Sequence, residues 1–90
     1  MRELKRWYNS LPPTKSHEDI NSRLYCILYV IKNEGQPVKG LPGLYMFDDC
    51  FAVCSVLNSQ YDTLRVTLSR LRIDGYLHTK KIDKRYYIKL

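Results

Sequence analysis

No long hydrophobic run occurs in this sequence. The longest, Leu24 to Ile31, is eight residues, against the roughly 20 that a membrane-spanning helix requires. The opening Met1-Arg2-Glu3-Leu4-Lys5-Arg6 has no apolar stretch behind its charges, so no secretory signal is expected. Cysteine is sparse and odd in number: Cys26, Cys50 and Cys54, with no CxxC pair. Neither a zinc ribbon nor a disulfide framework follows from that count. Cys50 and Cys54 stand four apart, a poor geometry for a disulfide within a helix. The three thiols are expected as buried, reduced, small packing residues, with redox sensing or intersubunit bridging as the alternative. No Gly-rich phosphate loop, HExxH or Gly-x-Ser-x-Gly occurs. A cysteine nucleophile paired with His78 is disfavoured, because the cysteines fall in apolar stripes and His78 on a basic strand. Catalysis, cofactor and metal are therefore not expected.

Acid is also scarce. Nine Asp and Glu face 15 Lys and Arg, a net charge of +6, which hints at a polyanionic partner without naming one. Ninety residues suffice for one small core, and a multidomain enzyme is out of reach.

What is present divides by hydrophobic period. Residues 1–15 read as an N-terminal arm whose apolar content is Trp7, Tyr8 and Leu11, set off by Pro12-Pro13. The arm is either one short helix packed on the body or a mobile segment. Residues 16–90 read as one domain. Ser16 is expected to open a first helix, with Glu18 and Asp19 favouring its positive end. Ile20, Leu24, Ile27, Leu28 and Ile31 form its apolar stripe. From Gln36 to Met46, two glycines and two prolines predict a short extended piece near Val38 and a loop. A second helix capped by Asp48 or Asp49 runs to about Leu57, with Phe51, Val53, Cys54 and Leu57 as its apolar positions. Asn58-Ser59-Gln60 breaks it. A third runs from about Asp62 to Ile73 on Leu64, Leu68 and Leu71, and Gly75 stops it. Alternation then predicts a hairpin of Leu77–Ile82 and Arg85–Leu90, turning at Asp83-Lys84. That turn puts Leu77, Thr79, Ile88 and Leu90 inside, and His78, Lys80, Arg85, Tyr87 and Lys89 outside. A slip of one residue would exchange the faces.

The stretch Leu57-Asn-Ser-Gln-Tyr-Asp-Thr63-Leu64-Arg-Val-Thr-Leu68-Ser-Arg-Leu71-Arg-Ile-Asp74-Gly75-Tyr-Leu77 resembles the signature of winged helix-turn-helix DNA-binding proteins. There, a leucine ends the second helix, a turn leads to Thr plus an aliphatic residue, and leucines, an acidic-Gly stop and a basic hairpin follow. Two positions differ: Asn58 stands where the family usually has Gly, and Ser59 where it has an apolar residue. The resemblance implies an α+β fold of three helices with a C-terminal two-stranded wing.

The implied function is sequence-specific binding of double-stranded DNA by a small transcription regulator, cytoplasmic or nucleoid-associated. Insertion of helix 62–73 in the major groove makes Gln60, Tyr61, Arg65, Val66 and Ser69 the expected base readers. Arg65 suits guanine, Gln60 adenine, and Val66 a thymine methyl. Thr63, Arg70 and Arg72, with Lys80, Lys81, Lys84 and Arg85 of the wing, suit phosphates. A homodimer is expected to use the arm and the first helix. Charge placement agrees. Ser59–Leu90 carries eight cations against three Asp, the arm four against one Glu, and Ser16–Asn58 three against five acids. The alternative is a winged-helix protein-interaction module, for which Val66 and Ile73 on the outer face argue. RNA is a third option, disfavoured because no exposed aromatic platform is evident beyond Tyr61 and Tyr87.

Overall fold

The computed structural model describes residues 2–90. It is α+β, with four helices and a four-stranded antiparallel sheet. The order is α1 (Arg2–Ser10), α2 (Ser22–Glu34), β1 (Gln36–Pro37), β2 (Leu44–Phe47), α3 (Cys50–Leu57), α4 (Tyr61–Ile73), β3 (His78–Ile82) and β4 (Arg85–Lys89). The sheet runs β1-β2-β4-β3. Two expectations change at once: the helices number four, and the hairpin is part of a wider sheet.

The arm supplies the extra helix. Leu4 is fully buried and packs with Leu44 and Tyr87, with Trp7, Tyr8 and Met46 around them. The Tyr8 hydroxyl donates to the Pro42 carbonyl at 2.6 Å. The following segment is tied down as well. Lys15 N–H donates to the Gly75 carbonyl at 2.8 Å, the His17 ring meets the Tyr76 carbonyl, and the His78 ring meets the Pro12 carbonyl.

These ties explain a second correction. α2 does not start at Ser16; residues 17–20 form a turn, and the Asn21 side chain caps the helix by accepting from Leu24 N–H at 2.9 Å. Asn is as good a cap as Ser, and His17 is already held at Tyr76, so the chain turns before it coils. Glu18 and Asp19 accordingly lie ahead of the helix.

A third difference is β2. The density of Gly and Pro from 36 to 46 masks the short apolar run Leu44-Tyr45-Met46-Phe47, which pairs with β1 on one side and β4 on the other. Leu44 and Phe47 are buried. Gly35, between α2 and β1, is there for space: a Cβ would lie 2.8 Å from both the Ile31 carbonyl oxygen and Tyr45 Cβ.

The hairpin register agrees with the two-residue turn. Ile82 pairs with Arg85 and Thr79 with Ile88, while Asp83 takes φ +56° in place of a glycine. Leu77 and Ile88 face the main core of α2, α3 and α4. The opposite face, expected at solvent, is roofed by α1, so Tyr87 is only 1% exposed.

Since α1 covers this face, Leu4→Ala is expected to destabilise the whole chain by about 2–4 kcal/mol in urea unfolding. A loosely attached arm would lose less than about 1 kcal/mol.

Candidate nucleic-acid interface

A three-residue turn, Asn58-Ser59-Gln60, joins α3 to α4, and local chemistry shapes each joint. The Asp49 carboxylate caps α3 by accepting from Ala52 N–H at 2.7 Å. At the other end Asn58 enters the left-handed region at φ +50°. Its N–H donates to the Ser55 carbonyl and the Ser59 N–H to Cys54, which is the Schellman arrangement. Asn substitutes for glycine here because its short polar side chain tolerates that conformation. The Ser59 hydroxyl, in place of an apolar group, donates to the Leu57 carbonyl at 3.3 Å. α4 closes the same way, with Gly75 at φ +86° and Tyr76 N–H on Leu71.

Leu64, Leu68 and Leu71 bury one side of α4. A rotation of 100° per residue then divides the rest of its surface. On one flank Tyr61, Arg65, Ser69 and Arg72 line an open cleft of about 270 Å³, closed opposite by Cys50, Thr79 and Tyr86. Thus part of the predicted set meets the hairpin. Thr63 and Thr67 line the other flank, with Asn21, Arg23 and Ser59. Val66 and Ile73, 64% and 74% exposed, stand between the flanks, where Leu24, Arg65 and Arg70 complete an apolar groove. Gln60 is exposed at the start of α4, and its side chain makes no capping bond. Arg70 is exposed and lies 3.6 Å from Asp74, one turn on. At such exposure this pair holds the guanidinium weakly.

The hairpin cations are not all on one face. Lys81 alternates to the α4 side, and its charge is felt at Cys50. Lys80 and Arg85 alternate to the side roofed by α1. Lys80 lies 4.0 Å from Glu3, and Arg85 borders a groove with Val38, Met46 and Tyr87. Lys84 is exposed at the turn.

Three further residues border this surface. Arg23 and Asn21 reach it only because α2 packs beside α4. Phe51, expected in the apolar stripe of α3, is instead 69% exposed, and its ring stacks on Tyr61 with centroids 5.7 Å apart. Helical rotation carries the signal for it. Phe51 shares a side with exposed Ser55, about 120° from the side that Val53, Cys54 and Leu57 share. Tyr87, in contrast, offers no platform, since it is buried under α1.

Burial pushes the Cys50 thiol above its ordinary range; Cys54 adds to the rise, Lys81 opposes it, and Asp49 adds again. Tyr86 is likewise raised, mostly by burial, while Thr79 and Arg72 pull it back and Cys50 and Tyr61 push it up. Both groups are therefore neutral at physiological pH, and the cleft's charge comes from its cations. Of the three thiols only Cys54 is buried; Cys26 is exposed and Cys50 intermediate, a correction to the expectation of three buried cysteines. Cys26 lies on the outer side of α2, with Tyr25 and Tyr29, both exposed, as neighbours in sequence.

Alkylation should follow this order: Cys26 fast at neutral pH, Cys50 slowly, Cys54 only on unfolding, as mass spectrometry of iodoacetamide-treated protein would read. Unfolded chains release the Cys50 and Tyr86 protons first. Stability contributed by the neutral forms is thus complete below the unfolded values, near about 8.5 and 10, and lost as pH rises through the folded ones. The urea midpoint should therefore fall on the alkaline side of about pH 8.5. A midpoint unchanged to pH 11 would remove both shifts.

No known protein family, no curated protein and no solved structure matches the chain.

Proposed function

We propose that this chain is a winged-helix protein that binds double-stranded DNA sequence-specifically, as a small transcription regulator. The observation that carries the reading is the exposed, cation-bearing face of α4 beside the basic β3–β4 hairpin, on a helix whose other side is anchored in the core. A single helix is what a major groove about 12 Å wide admits.

In this reading Gln60, Tyr61, Arg65, Val66 and Ser69 face base edges. The planar fork of Arg65 matches the two acceptors of guanine, and Val66 supplies an apolar contact for a thymine methyl. Thr63, Arg70 and Arg72 hold phosphates along α4, and Lys81 and Lys84 hold them from the hairpin. Arg23 adds a cation at the far flank. Lys80 and Arg85, on the face toward α1, contribute long-range attraction in place of contact. No catalysis and no cofactor belong to the reading. Its homodimer uses the outer face of α2, where Tyr25 and Tyr29 are exposed, because the apolar side of α1 is taken up by the sheet.

A second reading, a protein-interaction module, draws on the exposure of Val66 and Ile73. Selection of bound duplexes from a random pool separates the two. The DNA reading expects an enriched motif, palindromic for a dimer. Failure to bind any duplex at low salt would end it in favour of the protein partner.

Within the DNA reading, Arg70→Ala or Lys84→Ala should weaken all sequences alike and reduce the salt slope by about one each. Arg65→Ala should cost about 1–3 kcal/mol and relax preference at one base pair, read by titration of matched and mismatched duplexes.

A further inference from the structure

The cleft between α4 and the hairpin contains more than a groove-reading helix needs. Its mouth carries the Phe51–Tyr61 pair, two aromatic rings 5.7 Å apart and tilted by 31°. Both are open to solvent, Phe51 at 69% and Tyr61 at 44%. Behind them stand Arg65 and Arg72, with the charge of Lys81 close enough to act on Cys50. Among the described residues no acid lines the space; Asp49 caps α3 through the Ala52 N–H and acts on Cys50 more weakly than Lys81 does. Cys50 and Tyr86 are neutral, so the charge of the lining is that of Arg65 and Arg72, with Lys81 beside it. At about 270 Å³ the space is on the scale of one nucleoside and far short of a base pair with its backbones.

Stacked base edges in an intact duplex offer no face to an aromatic ring. An unpaired base does, and stacking with phosphate neutralisation is how single strands are held. We propose that this cleft takes an unpaired DNA nucleotide at the end of a duplex. Its base lies against Phe51 and Tyr61, and its phosphate meets Arg72 and Lys81. The inference rests on the DNA reading above and narrows its substrate to a duplex with a single-stranded junction.

Fluorescence anisotropy at low salt tests it with two probes, a blunt duplex and the same duplex with a short single-stranded overhang. The overhang probe is expected to bind about tenfold tighter, a typical gain from one stacked base. Phe51→Ala should remove that gain and Phe51→Trp should keep it, while blunt-duplex affinity moves less than twofold. A 2-aminopurine in the overhang should be quenched by the native protein and not by Phe51→Ala. Because Phe51 is exposed, an unchanged thermal midpoint will show that the variant is folded. Equal affinity for the two probes, or an overhang gain that survives Phe51→Ala, overturns the junction proposal and leaves duplex recognition standing. Binding to neither probe overturns duplex recognition and the junction proposal together.

Discussion

Tyr87 and Ile88 are neighbours in β4, and both are sealed from solvent on opposite faces of the sheet. That is possible only because successive strand residues point to opposite sides and both sides are covered. Ile88 joins the core beneath α2, α3 and α4; Tyr87 joins the smaller one under α1. With β2 and β3 bonded to its two edges, β4 serves both cores, as does its neighbour β2 through Phe47 in the larger and Leu44 in the smaller. A one-residue slip of its register would exchange the faces, driving Tyr87 into the larger core and Ile88 under α1, each into a space filled by the other's neighbours.

The candidate interface inherits its rigidity from this arrangement. α4 is anchored by three leucines, and its C-terminal turn is tied to the segment after α1 through Gly75 and Tyr76. The hairpin beside it is no free flap, since β4 is held between two strands. Arg65, Arg72 and Lys81 are thereby presented from elements that cannot easily part, and side-chain order near a ligand is gained without a large ordering cost. Cationic charge is also sorted by the pleat. Lys81 falls on the α4 side and Lys80 on the α1 side, one residue apart.

Much of the architecture around α4 was legible because it is local chemistry. The leucine stripe, the asparagine that accepts a left-handed conformation, the glycine stop and the two-residue hairpin turn each act within a few residues. What escaped depends on contacts between distant segments. α2 starts at Ser22 and not at Ser16 because Asn21 competes as the cap, and the competition is decided by Tyr76 and Gly75, about 60 residues away. β2 was hidden because four apolar residues among glycines and prolines do not show a period; pairing on both edges makes them a strand. Apolarity alone assigns Phe51 to the core, whereas its rotation about α3 sets it beside Ser55.

The α4 helix, its buried and exposed sides, the turn before it and the hairpin after it are therefore written in the order of residues alone. So is the concentration of cations in the last third of the chain. Those features follow from period, backbone preference and charge, all of which are local. Packing between distant segments makes the arm a fourth helix roofing the sheet, makes Tyr87 core, and brings Phe51 to Tyr61 beside Arg65. Burial is a property of what arrives on the other side of a strand or helix, and no residue's own chemistry contains that.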